Sequence, residues 1–231
     1  SLALAGFSLT LPHTPPKRDA PGETLAWAKA FKLLAVPYIF VLFLVTLIDS
    51  TIHNGYFVMA FTFLDKIGVE GKNIMPIMSI GQVAEILTMA ALGLVLKRLG
   101  WKITMIVGIL GHAARFAVFA FMSDSIPVII GVQVLHGICY AFFFATLYIY
   151  IDAVFPKDIR TSAQGLFNLL ILGIGDLAAK WLFVPLQAHY TVDGVTNYQA
   201  LFLVPTGMAL AGAVIMALFF HPPKEAPEAI G

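Results

Sequence analysis

The chain has 231 residues, of which 59% are hydrophobic and only 12% charged, with a formal net charge of +1 and a mean hydropathy of +0.88. Such a composition belongs to a polypeptide whose solvent is lipid, and the near-neutral balance speaks against nucleic acid as a partner, which calls for a strongly basic patch. A single cysteine, Cys139, excludes an intrachain disulfide and reads as a small packing residue.

The first 34 residues stand apart. They begin apolar, break at "PHTPP", turn charged and Pro/Gly-bearing through Glu23, and resume with Lys29 and Lys32 in an amphipathic pattern. A signal peptide would carry a basic start. Residues 1–34 instead read as the end of a preceding transmembrane helix and a cytoplasmic interdomain linker, so the expectation is the second part of a longer protein.

Six apolar runs follow, over 35–64, 74–96, 103–122, 126–151, 163–186 and 200–220. Each approaches or exceeds the roughly 20 residues that cross a bilayer. The expected organisation is all-α: a six-helix transmembrane bundle over 35–221 and a cytoplasmic tail over 222–231. The first run is interrupted by "DSTIHNG", where Asp49, Thr51, His53 and Asn54 cluster before Gly55. Polar groups and a glycine there predict a kinked or locally unwound helix facing protein or water.

In the second run, Ser79, Gln82 and Glu85 recur at one-turn spacing. Glu85 stands about 18 Å along the helix from both Asn73 and Lys97, at the membrane midplane. A lipid-facing carboxylate there costs at least roughly 2.5 kcal/mol, so the stripe is expected to face the bundle interior or a cavity. Two long hydrogen-bonding side chains side by side suit a polar ligand; a structural carboxylate bonded to a neighbouring helix is the other reading.

Arg115 in the third run requires an acidic or carbonyl partner, and Asp152 lies too far along its own helix to supply it; a structural role is expected. The fourth run places Gln133, His136, Tyr140 and Phe143 or Phe144 on one stripe, a face that can stack on a base. His136 also titrates near neutrality when unperturbed. In the fifth run Asn168, Asp176 and Lys180 share helical spacing, and the last two form an i,i+4 acid–base pair, structural or ion-coupling.

Lys17, Arg18, Lys29, Lys32, Lys97, Arg98, Lys102, Lys157, Arg160 and Lys224 fall on one side of the expected spans, against Lys66 and Lys72 on the other. This positive-inside bias places both ends in the cytoplasm. No nucleophile elbow, P-loop or HExxH spacing occurs, so neither enzyme activity nor a metal or other cofactor is expected.

The loop "LVLKRLGWKITMI" resembles the second copy of the cytoplasmic loop motif of the major facilitator superfamily, basic residues flanking a glycine between helices. Together with "GFSLTLPHTPP", "MSIGQVAEIL" and "PKDIRTSAQGLFNLL", in that order along nearly the whole chain, it is similar to the C-terminal half of bacterial nucleoside:proton symporters. The resemblance implies one of two six-helix halves that enclose a central site and rock around it by alternating access, in the cell (inner) membrane. It implies that Gln82 and Glu85 bond ribose hydroxyls, and that Asn54, His136 and Tyr140 contact the nucleoside. Three departures accompany it: a family glutamine one turn before the asparagine is Thr51, a tyrosine is His136, and an aspartate after the fourth-span aromatic is Ala141. Thr51 is kept as a substrate-binding candidate. Glu85, Asp49, His136 and Asp176 are the candidates for carrying the proton, Glu85 foremost. The expected partners are a nucleoside, protons, the lipid bilayer and an N-terminal six-helix half. A proton-coupled sugar transporter, a facilitator and a non-transporting scaffold half are the competing readings.

Overall fold

The computed structural model describes residues 2–12, 31–155 and 159–222. The linker from 13 to 30, including Lys17, Arg18, Glu23 and Lys29, and the positions of Lys157 and Lys224, lie outside the described residues. A short helix, Leu2–Ser8, opens the chain.

Among the described residues five helices are long and apolar enough to cross a membrane: Pro37–Lys66, Gly71–Phe121, Ile126–Val154, Arg160–His189 and Tyr198–Phe219. The second of them has 51 residues, roughly 75 Å if straight, more than twice the ~30 Å of hydrocarbon. It does not run straight. Gly100 sits at φ 69°, ψ 176°, outside helical space, and the chain there turns from a second span (71–99) into a third (101–121). The expected count of six spans is thus recovered, with the second and third abutting at one glycine where the sequence suggested a six-residue loop.

The first span corrects an expectation. Residues 37–66 form one continuous α-helix through "DSTIHNG", because the polar side chains there find partners that leave the backbone ladder intact. Thr46, Ser50 and Thr51 donate to Leu42 O, Leu47 O and Leu47 O of their own helix. The irregularity falls elsewhere. The fourth span holds a 3-10 turn at Val132–Val134 and a π-helical turn at Tyr140–Ala145, and the fifth a π-turn at Leu169–Ile174. A π-turn displaces carbonyls from the regular ladder, and both are met by side chains. Thr146 Oγ1 donates to Ala141 O at 3.2 Å, and Asn54 Nδ2 donates to Ile171 O at 3.0 Å.

The first, third, fourth and sixth spans carry most of the core, with Phe63, Phe116, Phe119, Phe143, Phe144 and Phe202 fully buried among them. The fifth span is peripheral: 28% of its most apolar window is buried, and Leu172, Leu177 and Trp181 face outward. Between the fifth and sixth spans a two-stranded antiparallel hairpin pairs Thr191–Val192 with Val195–Thr196.

Gly100 allows a direct test. Its φ/ψ combination is strained for any residue with a Cβ, at about 1–3 kcal/mol, whereas Gly93 is helical and has open space where a methyl group would sit. Gly100→Ala is expected to lower the thermal unfolding midpoint of the purified protein, and Gly93→Ala to leave it unchanged or raise it.

Candidate substrate and proton site

Half-way along the spans, the bundle core is polar. Asp49 Oδ1 and His112 Nδ1 lie 3.0 Å apart, with both side chains 1% exposed or less. One turn beyond Asp49, the ring of His53 stacks on that of His136 at 5.0 Å and meets His112 edge-on at 5.7 Å. Arg115, also fully buried, donates from Nη1 to His136 Nδ1 at 2.7 Å and lies 4.1 Å above the Tyr56 ring, a cation–π contact. Tyr56 in turn donates its hydroxyl to Gln133 Oε1 at 2.9 Å. A guanidinium only donates, so His136 accepts with a lone pair and carries its proton on Nε2.

This cluster is incompletely satisfied. Asp49 Oδ2, His53 Nδ1, His112 Nε2, Arg115 Nε and Nη2, and Gln133 Nε2 are buried without a hydrogen-bond partner among the described residues. Among the described residues no three or more His, Cys, Asp or Glu are grouped so as to hold a metal ion.

Beside the core lies a second, open layer. Gly137 of the fourth span packs directly on the backbone of Ala84 and Glu85, and a Cβ at Gly137 would collide with both. Gly81 packs likewise against the His136 side chain. Two small residues therefore bring the second span hard against the fourth. On the second span Gln82 is exposed and Glu85 half-buried, and neither has a hydrogen-bond or ion-pair partner among the described residues. Tyr140, half-buried, is close enough to feel the Glu85 charge. The Ser79, Gln82, Glu85 stripe is thus turned out of this bundle's own interior, with Ser79 donating back to Met75 O at 2.9 Å.

The remaining expected positions divide between the layers. Asn54 is half-buried and commits its Nδ2 to Ser50 O and Ile171 O, which leaves Oδ1 for other work. Thr51 is buried, its hydroxyl spent on Leu47 O. Asp176 and Lys180 pair at 2.6 Å on the peripheral span, both side chains partly exposed. Asn168 accepts from the Tyr148 hydroxyl. Asp152 pairs with Arg160, not Arg115. Arg115's partners are a ring nitrogen and a π face, not the acid or carbonyl that the sequence called for. His112 is a functional candidate that the sequence reading misses; its signal is the one-turn spacing from Arg115 in "GHAARF", two basic side chains on one face at mid-span.

A six-helix bundle with a polar core and an open polar face at mid-membrane defines a multi-pass membrane protein of the major facilitator superfamily type. The family described as "Nucleoside H+ symporter" matches residues 1–225, and the chain belongs to it. It is 31% identical to "Putative nucleoside transporter YegT" of Escherichia coli K12, over 96% of this chain and 55% of the relative. It is 28% identical to the xanthosine permease of the same organism, over 97% and 58%, and 28% identical to the nucleoside permease NupG, over 95% and 56%. The chain spans a little over half the length of the curated relatives it matches. A crystal structure of a single-residue variant of the nucleoside transporter NupG superposes with a TM-score of 0.80 at 26% identity, over 95% of this chain and 58% of that one.

Charge balance in the cluster is testable through stability. Arg115→Met removes the permanent cation of the buried cluster and leaves the Asp49 charge uncompensated within it, and removing one of two opposite buried charges costs roughly 3–5 kcal/mol. A large fall in the thermal unfolding midpoint is expected for Arg115→Met, with more than half recovered on adding Asp49→Asn in the same protein.

Proposed function

We propose that this chain is the C-terminal half of a secondary transporter that moves nucleosides across the bacterial inner membrane by alternating access, coupled to protons. The complementary N-terminal six-helix half closes the cavity onto the open face of the second and fourth spans, and both ends of this segment are cytoplasmic. Residues 1–34 bring in the preceding helix and the linker, 35–221 form the bundle, and 222–231 the tail.

One observation carries the reading: an unpartnered glutamine and glutamate, one turn apart at the membrane midplane, next to a cluster of aromatic rings. An unpaired carboxylate at that depth is costly and is retained where a ligand offsets the cost. Glu85 accepts and Gln82 both accepts and donates, which matches the two adjacent hydroxyls of a ribose. The rings of Tyr140, His136, His53 and Phe57, with centroids 5.0–5.7 Å apart in their contacts, suit a flat base. Asn54 Oδ1 is a further acceptor at the same level. Membership of the nucleoside H+ symporter family and the named substrates of its relatives support nucleosides over free sugars, which need no base platform, and support transport over a scaffold role. Those relatives are permeases, in keeping with a protein that carries out no covalent chemistry.

The test is uptake of labelled uridine and adenosine by cells or vesicles containing the complete transporter, with and without a proton gradient. Glu85→Gln is expected to reduce uptake at least about tenfold, the loss that follows from a charge-assisted hydrogen bond of about 1.5–3 kcal/mol. Val83→Ala, exposed on the neighbouring face, is expected to transport normally. Wild-type uptake by Glu85→Gln would remove that residue from the site, and no uptake of either nucleoside by a well-expressed wild type would sink the substrate assignment.

A further inference from the structure

The buried cluster contains one acid and more basic groups than that acid can neutralise. Arg115 is permanently charged, and Asp49 is the carboxylate of the same buried cluster. With the histidines neutral, the two balance. His112 Nδ1, however, is the atom that sits at hydrogen-bond distance from Asp49, 3.0 Å away, in a pocket with no solvent exposure. A proton added to the cluster is best stabilised there, because the attraction between opposite charges in contact is largest where water is excluded.

The groups facing His112 make the choice specific. Asp49 and His53 come from the first span, Cys139 from the fourth, and Arg115 lies one turn along its own helix. Asp49 is the carboxylate among them, Cys139 adding a weakly acidic thiol, and Asp49 Oδ2 has acceptor capacity to spare. His136 is unsuited to the same task, since its Nδ1 is taken up in accepting from Arg115.

We propose that the Asp49–His112 pair is the proton-binding site of this chain. The step is a simple transfer: a proton from the aqueous phase bonds to Nε2 of His112, the imidazolium pairs with Asp49, and a second positive charge then stands one turn from Arg115. Departure of the proton restores the neutral imidazole. Because Arg115 also holds His136 and Tyr56, the change in its balance reaches the aromatic face that Gly81 and Gly137 press against the second span. Proton and nucleoside then occupy separate layers, the proton on the sealed side and the nucleoside at Glu85. The position of Ala141, fully buried with its carbonyl bound by Thr146, leaves no carboxylate nearer the aromatic face on the fourth span. This assignment rests on the proton-coupled transport proposed above.

Two measurements on the complete transporter test it separately. In the first, ring nitrogens of isotopically labelled histidines are followed by NMR against pH without nucleoside, the His112 signal being assigned by its loss in His112→Gln or, should that variant fail to fold, by its through-space contact to labelled Cys139. His112 is expected to gain a proton within the range studied while His136 stays neutral, and Asp49→Asn to shift the His112 midpoint toward acid by at least about one pH unit, the effect of removing an opposite charge in contact. A His112 that never titrates, or that ignores Asp49→Asn, overturns the proposal. In the second, proton uptake accompanying uridine entry into vesicles is expected in the wild type and lost at least tenfold, about 1.4 kcal/mol in coupling, in His112→Gln. Proton uptake that persists in the variant, or uridine entry by the wild type without protons, also overturns it. A wild type that takes up no nucleoside contradicts the transport reading instead, and the NMR titration still decides whether Asp49–His112 binds a proton.

Discussion

A guanidinium buried at the middle of a membrane protein sets the terms for everything around it. Arg115 cannot lose its charge, so the surrounding spans must supply a counter-charge, acceptors and polarisable rings. Asp49 is the acid of the same buried cluster, while His136 Nδ1 supplies a lone pair and Tyr56 a π face. These groups come from three spans: Asp49 and Tyr56 from the first, His136 from the fourth, and Arg115 itself from the third. The cluster therefore fixes the relative rotation of three spans, since a turn of any of them by one residue would strand a charge.

The phenylalanine core fills the space around these groups, and glycines set the distance to the second span. At Gly137 and Gly81 the backbones approach so closely that a methyl group has no room. That approach carries the outward-facing Gln82 and Glu85 to the edge of the aromatic cluster, whose far side is held by Arg115. A sealed, charge-balanced interior and an open, unpartnered face are thus joined through His136 and Tyr140. The two π-turns serve the same arrangement: one re-aims the aromatic residues of the fourth span, and the other presents Ile171 O to Asn54.

Much of this is legible in the residues alone. The six crossings follow from runs of apolar residues, because a backbone in lipid must form helices and the length is set by bilayer thickness. Glu85 and Gln82 stand out through their depth and their spacing. Three features are not legible. The polar cluster from Asp49 to Asn54 reads as a break, yet Ser50 and Thr51 bond back to their own helix, Asp49 and Asn54 find partners on other spans, and the helix continues. The irregular turns fall in segments without proline, "YAFFFA" and "LLILGI", the first also without glycine, where tertiary packing overrides local preference. His112 is an ordinary residue in sequence, and only Asp49, 63 residues away and across the bundle, gives it a role.

In the transport cycle proposed above, substrate engages the open layer while the charged layer beneath stays closed to it. A structure of the complete transporter with bound uridine tests this. Ribose hydroxyls are expected within about 3 Å of Glu85 and Gln82, the base against His136 and Tyr140, and no part of the nucleoside touching Asp49 or His112. A nucleoside seated away from Glu85, or bonded to Asp49 in the interior, would contradict it.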